Sequence, residues 1–492
     1  MTSFNMTGAS SASSYTWDTV PWPKVERQVR RLQMRIAKAF REGHSHKVKA
    51  LQRLLTHSGS AKLLAVRRVT TNAGRHTPGV DGVRWTTPKH KWQAVATLRR
   101  HGYQAIPLRR IYILKKNGKQ RPLGIPSMKD RAMQALYLLA LDPIAETTAD
   151  PNSYGFRAHR SAADAIEQCF ILLARKNSSR WILEGDIKAC FDGIDHDWLR
   201  AHIPMDKTIL EAWLRSGYCE EGRWFPTTEG TPQGGIASPT LANMTLDGLE
   251  KVVSHAIPKG HKAHVVRYAD DFIVTGNSRE VLEHYVKPAI EQFLLIRGLV
   301  LSSEKTRLSH IDDGFDFLGF NVRKYKGKLL IKPARKNVSA FLANVRDIIK
   351  THPTAKTENL IQMLNPKIRG WANYYRHVVS SHVFNYVDHR CYVALDRWVK
   401  RRHPNKNRHW QQSRYFCQVG GDRWRFYASI HHHGKSARIL LTRASSVKIQ
   451  RKIKIQAKAT PYDPSYGEYF AKRLAKPSTR SFSVDAGSFP DF

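Results

Sequence analysis

The sequence is short of cysteine and of long apolar runs for a chain of 492 residues. Its 5 cysteines include no C-x-x-C pair, which argues against a zinc site or disulfide framework and favours a reducing, cytosolic setting. No apolar stretch approaches the ~20 residues that a membrane span requires, and the N-terminus lacks the basic-then-apolar pattern of a signal peptide. We therefore expect no membrane association through a spanning segment.

Acidic residues are also scarce, with 40 Asp and Glu against 81 Lys and Arg, a net charge of +41. Such an excess does not stabilise a fold, because like charges repel each other, but it suits a polyanionic partner. Nucleic acid is the partner that the composition favours, and a membrane surface is the alternative. The hydrophobic content of 41% is sufficient for packed cores, and the length suggests about three or four domains.

The most informative segment is Tyr268-Ala269-Asp270-Asp271, which lies between two apolar runs, residues 265–266 and 272–274. The pattern predicts a strand, a tight acidic turn and a second strand. Two adjacent carboxylates at the tip of a hairpin repel each other unless a cation lies between them. Nucleotidyl transfer is the function that this pair suggests, and an ordinary Asp-rich turn is the alternative.

A third carboxylate, Asp186, ends the apolar run of residues 181–185, where Gly185 permits close backbone approach. Alone it would be read as a helix N-cap. Beside the acidic hairpin it predicts a site for two Mg²⁺ ions about 3.5–4 Å apart, held by Asp186, Asp270 and Asp271. The carbonyl oxygen of Ile187 would be an additional hard ligand.

The order and spacing of further motifs resemble those of reverse transcriptases. Phe191, five residues after Asp186, occupies the position of the aromatic residue that leaves no room for a ribose 2′-hydroxyl in that family. Five further segments resemble motifs of that family and occur in the family's order: residues 111–126, 151–157, 230–239, 301–306 and 317–320. The resemblance implies an α+β right-hand polymerase, with mixed fingers, a palm built on an antiparallel sheet and a helical thumb.

The resemblance also implies roles for individual residues. Lys115 and Arg121, on a predicted hairpin that turns at Asn117-Gly118, would clamp the triphosphate of a dNTP, where their charge offsets that of the leaving pyrophosphate. Gln233 would contact the nucleotide, and Lys305 would lie near the triphosphate. Leu318 and Gly319 would form the primer grip.

The segments on either side of these motifs resemble group II intron-encoded proteins. Residues 77–82 are similar to the extension before their fingers, and residues 364–376 to their thumb, the maturase domain. A basic amphipathic helix from Val25 onwards predicts RNA binding, with a solvated surface helix as the alternative. The candidate RNA contacts are Arg27, Arg30, Arg31, Arg35, Lys38, Arg369 and Arg376. For Trp371 we expect packing between thumb helices.

Membership of this family implies an RNA-directed DNA polymerase that binds group II intron RNA, assists its splicing and copies it during retrohoming. Its implied partners are intron RNA, target DNA and dNTPs, in a cytoplasmic, nucleoid-associated ribonucleoprotein, and a homodimer on the RNA is left open. The alternatives are a splicing cofactor with little polymerase activity and a domesticated reverse transcriptase in repair or phage defence. The C-terminal region lacks the paired cysteines of the H-N-H endonuclease found in many members. We therefore expect no second-strand cleavage.

We expect five segments. Residues 1–20 are a disordered N-terminus, 21–104 an RNA-binding extension with the start of the fingers, 105–334 the fingers and palm, 335–403 the thumb, and 404–492 a basic DNA-binding region. Two small departures from the family pattern are Ala189 where glycine is usual and Gly193 where asparagine is usual.

Overall fold

The structure, a computed structural model, describes residues 16–114, 118, 120–231, 234–432 and 435–475. The described chain opens with a 3₁₀ turn at Trp17–Thr19, whose Trp17 is buried, followed by α1 (Trp22–Arg41), α2 (Ser45–His57), α3 (Gly59–Thr71) and α4 (Pro88–Thr97). Helix α1 buries Val25, Val29 and Ile36, whose spacing places them on one face. Its basic residues face outward, and the predicted amphipathic helix is therefore confirmed.

The central region alternates strands and helices. In chain order these are β1 (Leu108–Leu114), β2 (Gln120–Ile125), α5 (Met128–Thr148), α6 (Ala162–Leu173), β3 (Trp181–Asp186), α7 (His196–His202), α8 (Lys207–Leu214), β4 (Tyr218–Glu220), β5 (Arg223–Phe225), α9 (Ser238–Leu246), α10 (Leu249–Ala256), β6 (Ala263–Tyr268), β7 (Asp271–Gly276), α11 (Arg279–Val281), α12 (Lys287–Leu295), β8 (Arg307–His310), β9 (Phe315–Phe317), β10 (Phe320–Tyr325) and β11 (Lys328–Pro333).

The remaining elements are α13 (Arg335–Thr351), α14 (Thr357–Tyr375), α15 (Ser381–Arg402), α16 (Arg408–Tyr415), β12 (Phe416–Val419), β13 (Asp422–His432), β14 (Lys435–Leu440) and α17 (Gly467–Ala475). Three long helices, α13 to α15, follow the strands as the sequence predicted for a helical thumb. None of the described helices has both the length and the apolar composition that crossing a membrane would need.

Four strands in the order β6-β7-β3-β8 form an antiparallel sheet at the centre of the molecule. Side chains alternate across it, as the pleat requires. Leu183 and Phe272 join a core shared with helices α1 to α3 and α5, whereas Ile182 and Ile273 join a second core shared with the thumb and the C-terminal sheet. The sheet is thus covered on both faces, and neither the N-terminal helices nor the thumb has a core of its own. This is the α+β right-hand architecture.

The described residues form three further sheets. The fingers sheet has the order β2-β1-β4-β5, with β1 and β4 parallel, and the C-terminal sheet has the order β12-β13-β14. A hairpin sheet of β9, β10 and β11 leads into α13.

After β14 the chain returns across the molecule as a segment with little regular secondary structure before α17, which we call the C-terminal strap (residues 441–475). Its Ile455 N–H donates to buried Asp164 on α6 at 2.9 Å, and Arg473 donates to the same carboxylate at 3.0 Å. Tyr462 donates to Asp142 on α5. The strap therefore connects the thumb side of the molecule to helices of the palm.

Candidate active site

The acidic tetrapeptide forms the turn between β6 and β7. Tyr268 pairs with Asp271, which leaves Ala269 and Asp270 as a two-residue loop. Ala269 takes a positive φ of 58°, a conformation that tight hairpin turns require and that alanine adopts only under strain. Asp270 therefore lies at the tip of the hairpin and Asp271 at the first position of β7.

The third carboxylate comes from the neighbouring strand. In the antiparallel pairing of β3 with β7, Asp186 is the direct partner of Asp271 and Gly185 the partner of Phe272. A Cβ atom on Gly185 would lie 2.2 Å from Cζ of Phe272, so only glycine allows this ring to pack across β3. The Ser302 N–H donates to the Asp186 carbonyl oxygen at 2.8 Å, which fixes the end of the strand.

Repulsion and burial act on the two hairpin carboxylates. Burial and the charge of Asp186 raise the pKa of Asp270, while Arg121 and Lys305 act in the opposite direction. Burial, and then the charges of Asp270 and Asp186, raise the pKa of Asp271 to about 6, although its side chain is still open to solvent. A cation bound beside Asp271 would relieve the part of this pKa rise that comes from repulsion by Asp270 and Asp186.

Lys305 is the cation closest to the strand-end carboxylate. Its Nζ lies 3.1 and 3.0 Å from the two carboxylate oxygens of Asp186. Lys305 follows the short segment that pairs with the end of β3, where buried Ile187 forms a bridge with Leu301. The ammonium group therefore supplies positive charge at the place where the sequence predicted a metal.

The donor set fits a divalent cation in its chemistry. Three carboxylates on adjacent strands offer hard oxygen ligands, and their mutual repulsion is the electrostatic condition that such an ion satisfies. In the described part of the chain, however, no three His, Cys, Asp or Glu side chains are gathered closely enough to form a metal cluster. Asp186 is instead turned to Lys305, so binding an ion would require this ion pair to open.

Phe191 lies on the turn that follows β3. Its half-buried ring meets Phe156 edge-on, with ring centroids 6.3 Å apart. Ala189 has a positive φ of 47°, which explains why glycine is usual at this position in the family. The Thr231 N–H donates to the Phe191 carbonyl oxygen at 2.6 Å, and this bond attaches the turn to the loop of the P-Q-G motif.

Two predicted dNTP contacts, Lys115 and Gln233, lie outside the described residues, as does the predicted Asn117 turn. Arg121 on β2 faces Ile113 across the fingers hairpin, and its charge offsets part of the rise in the pKa of Asp270. In the P-Q-G loop, Gly234 has a φ of 112°, and a Cβ there would lie 2.8 Å from the Gly124 carbonyl oxygen. That loop therefore approaches the fingers hairpin closely.

A buried arginine beneath the acidic hairpin was not among the residues predicted from the sequence. Arg267, 1% exposed, is paired with Asp247 at 2.6 Å and donates to the Asn243 side-chain oxygen at 3.1 Å and to the Ala269 carbonyl oxygen at 3.4 Å. The signal that could have revealed it is a charged residue at an inward position of the apolar strand that precedes the acidic turn.

The block at residues 151–157 braces the same turn from the other side. A Cβ on Gly155 would lie 2.4 Å from the Ala269 backbone nitrogen, and the Gly155 carbonyl oxygen accepts a hydrogen bond from Asn243 at 2.8 Å. Arg157 holds this loop through a buried ion pair with Glu146 at 2.9 Å. Ala269 is thus fixed by contacts on two sides.

Leu318 and Gly319 form a two-residue turn between β9 and β10, with φ values of 50° and 81°. Two thumb tyrosines hold it. Tyr374 donates to the Leu318 carbonyl oxygen at 2.8 Å, and Tyr375 donates to that of Gly319 at 3.2 Å. Trp371 stacks on Phe341 with ring centroids 4.7 Å apart, which confirms its predicted packing role.

The candidate RNA contacts fall into two groups. The first group is exposed on α1 and consists of Arg27, Arg31, Arg35 and Lys38. The second group contacts the C-terminal strap: Arg30 donates to the Pro461 carbonyl oxygen, Arg369 to Thr442 and Arg376 to Gln450.

Comparison with known families gives three matches in the order of the fold. Residues 17–98 match the N-terminal domain of reverse transcriptase, residues 113–322 match reverse transcriptase (RNA-dependent DNA polymerase), and residues 338–416 match the group II intron, maturase-specific domain. The chain is also 32% identical over 325 residues to Protein YkfC of Escherichia coli K12, across 56% of this chain and 84% of that protein. This chain belongs to the group II intron-encoded reverse transcriptases.

Group II intron-encoded protein LtrA of Lactococcus lactis subsp. cremoris is 27% identical over 440 residues, across 69% of this chain and 72% of that protein. Among solved structures, telomerase of Candida albicans aligns over 63% of this chain and 64% of its own, with 11% identity and a TM-score of 0.37. A group II intron-encoded reverse transcriptase combines RNA-directed DNA polymerase and maturase functions, depends on a divalent cation and binds intron RNA.

Proposed function

We propose that Asp186, Asp270 and Asp271 bind two Mg²⁺ ions for polymerisation of DNA on an RNA template. The observation that carries the proposal is the register of the central sheet, which makes Asp186 the cross-strand partner of Asp271, with Asp270 adjacent. When bound, such ions lower the pKa of the primer 3′-hydroxyl and neutralise charge on the pyrophosphate. The Ile187 carbonyl oxygen is the additional ligand.

In this proposal Lys305 has two positions. Without a nucleotide it neutralises Asp186, and with a nucleotide it moves to the triphosphate, where Arg121 and Lys115 provide further charge. Its exposed, flexible side chain suits such an exchange. The exchange keeps the carboxylate cluster partly neutralised between catalytic cycles.

Selection of deoxyribose follows from the position of Phe191. Its ring is supported by Phe156 and its carbonyl oxygen is bound by Thr231, so the side chain has little freedom to retreat from a 2′-hydroxyl. Gln233 orients the nucleotide from the adjoining loop. Leu318 and Gly319 hold the primer end, and the thumb tyrosines determine where that turn lies.

For the RNA, we propose the exposed face of α1, with Arg27, Arg31, Arg35 and Lys38, as a phosphate-binding surface. Arg30, Arg369 and Arg376 are proposed as further RNA contacts, and their hydrogen bonds to the strap position them. Target DNA is assigned to the segment 404–492, and the segments 21–104, 105–334 and 335–403 serve as extension, fingers and palm, and thumb. The setting is a cytoplasmic ribonucleoprotein that carries out retrohoming, with a homodimer on the RNA as one form of the assembly.

The test is primer extension by purified protein on an RNA template with MgCl₂. Asp270→Asn is expected to lower the rate by at least about 10²-fold, since it removes one metal-binding charge. Asp313→Asn, a matched change on an exposed turn, should leave the rate unchanged. Equal rates for wild type and Asp270→Asn would contradict the proposed site. No product from wild type, together with tight binding of intron RNA, would leave only the maturase function.

A further inference from the structure

A large cavity lies away from the residues described above. It has a volume of about 1060 Å³ and lies between α2, the end of α1 and the turn that joins α7 to α8, with α5 as its floor. The Gln52 side-chain amide spans the cavity walls, since it donates to the carbonyl oxygens of Ala140 at 3.4 Å and Pro204 at 2.8 Å. These two hydrogen bonds connect α2 to α5 and to the turn between α7 and α8, so they fix the walls of the cavity relative to each other.

Positive charge predominates around this cavity. Lys49, Arg53, Arg100 and Lys207 line it against one acid, Asp206, which is already paired with Arg100. Lys207 is fixed from behind, because its Nζ donates to the Ile203 carbonyl oxygen at 2.7 Å. Lys49 and Lys207 both line the cavity, and burial, followed by the like charge of Lys49, lowers the pKa of Lys207. An anion between them would relieve this repulsion.

The interior of the cavity is apolar. Val48, Tyr137 and Met205 are buried residues that contribute to its lining. An apolar floor with a few convergent cations at the rim is the usual composition of a pocket for a small organic anion, and the volume lies just above the ~300–1,000 Å³ typical of such pockets. A nucleotide matches this lining, because its flat base can pack on the apolar floor and its phosphate can bind the cations at the rim.

We propose that the cavity binds one unpaired nucleotide, with its base on the apolar floor and its phosphate between Lys49 and Lys207. The nucleotide is one extruded from bound RNA, and this source rests on the RNA-binding function proposed above. The position of helix α1 supports RNA as the source of the nucleotide. This helix carries the exposed basic face and ends at the cavity, where Phe40 and Gly43 line the rim. An RNA held on α1 would therefore pass the opening.

The experiment compares two RNA hairpins that differ only by a single bulged nucleotide, in binding titrations over a series of salt concentrations. Wild-type protein is expected to bind the bulged hairpin about tenfold more tightly, since an inserted base adds contact with apolar side chains. Lys49→Ala should remove this preference and reduce the slope of log K against log salt by about 0.7. Lys47→Ala, two residues earlier on α2 and outside the cavity lining, should keep both.

A second measurement identifies the source of the nucleotide. AMP is titrated into wild-type and Lys49→Ala protein by calorimetry. Binding of AMP that Lys49→Ala weakens, without any preference for the bulge, would support the site and assign it to a free nucleotide. Equal binding of the two hairpins together with no binding of AMP would overturn the proposal. Primer extension by the same wild-type preparation shows whether such a failure concerns the cavity alone or the polymerase as well.

Discussion

Replacing Arg267 by methionine tests whether the buried ion pair beneath the acidic hairpin determines the position of Asp270. Methionine keeps most of the volume but removes the charge, and Asp247, 8% exposed, then has no cationic partner. Removing one member of a buried pair leaves an uncompensated charge, at a cost of about 3–5 kcal/mol. The hydrogen bonds to Asn243 and to the Ala269 carbonyl oxygen are lost with it.

The effect should depend on pH in a definite direction. Burial raises the pKa of Asp247 to about 6, and Arg267 is the principal group that opposes this rise. Without Arg267 the pKa of Asp247 rises further. A folded-state pKa above the unfolded value of about 3.9 means that the carboxyl group destabilises the fold increasingly as pH rises through that interval.

At pH 5 Asp247 is largely protonated in both proteins, so the difference in stability between Arg267→Met and wild type should be smallest there. At pH 8 the wild-type carboxylate is charged and paired, and the difference should reach its full value. We expect the difference in thermal midpoint to grow from pH 5 to pH 8, as measured by scanning fluorimetry. The double variant Arg267→Met, Asp247→Leu should recover part of the loss at pH 8, because it removes the unpaired charge.

Primer extension provides the functional measurement. Arg267→Met should lose activity even at temperatures where it is fully folded, because the Ala269 turn loses a buried donor. Arg267→Lys, which keeps a charge but not the planar fork, should be intermediate. A pH-independent difference in thermal midpoint would refute the assigned pairing. Full activity of folded Arg267→Met would refute the positioning role.

Three further predictions concern single contacts. Gly185→Ala should destabilise the protein by about 1–3 kcal/mol, because its Cβ would overlap Phe272, and Phe272→Leu should relieve this loss in thermal unfolding. Ala189→Gly should stabilise the protein by about 1 kcal/mol by relieving a positive φ, and a lower thermal midpoint would contradict the strain. Tyr374→Phe should reduce the length of extension products and cost about 1 kcal/mol of stability, because the hydrogen bond to Leu318 is lost, and unchanged product lengths would exclude a role in positioning the primer grip.

The features that the sequence could predict are those with a local signal. The acidic turn stands between two apolar runs, and the strand that ends at Asp186 has its own run, so both strands and their polar ends follow from short segments. Helix α1 could also be predicted from a short segment, because its apolar residues recur with the 3.6-residue period of a helix. The pairing of Asp186 with Asp271 required knowledge of a family, because no local pattern specifies which strands are neighbours.

The features that the sequence could not predict depend on contacts between distant segments. Arg30, Arg369 and Arg376 stay candidate RNA contacts, but no local pattern indicates that each also donates a hydrogen bond to the strap. Which acceptor within the protein lies beside a cation depends on segments that are distant in the sequence. The ion pair between Arg267 and Asp247 could not be predicted for the same reason, since Asp247 lies 20 residues earlier, on a segment with no strand pattern.

The C-terminal strap also has a kinetic consequence. Arg30 and Pro461 are 431 positions apart, and Asp164 and Arg473 are 309 apart, so these contacts belong to the slowest class of loop closure. A ribosome extends a chain by about 5–20 residues each second, so Arg30 is synthesised at least about 20 s before its partner Pro461. During that interval Arg30 has no strap carbonyl oxygen to donate to, and its guanidinium group is accessible to other acceptors, including RNA phosphates.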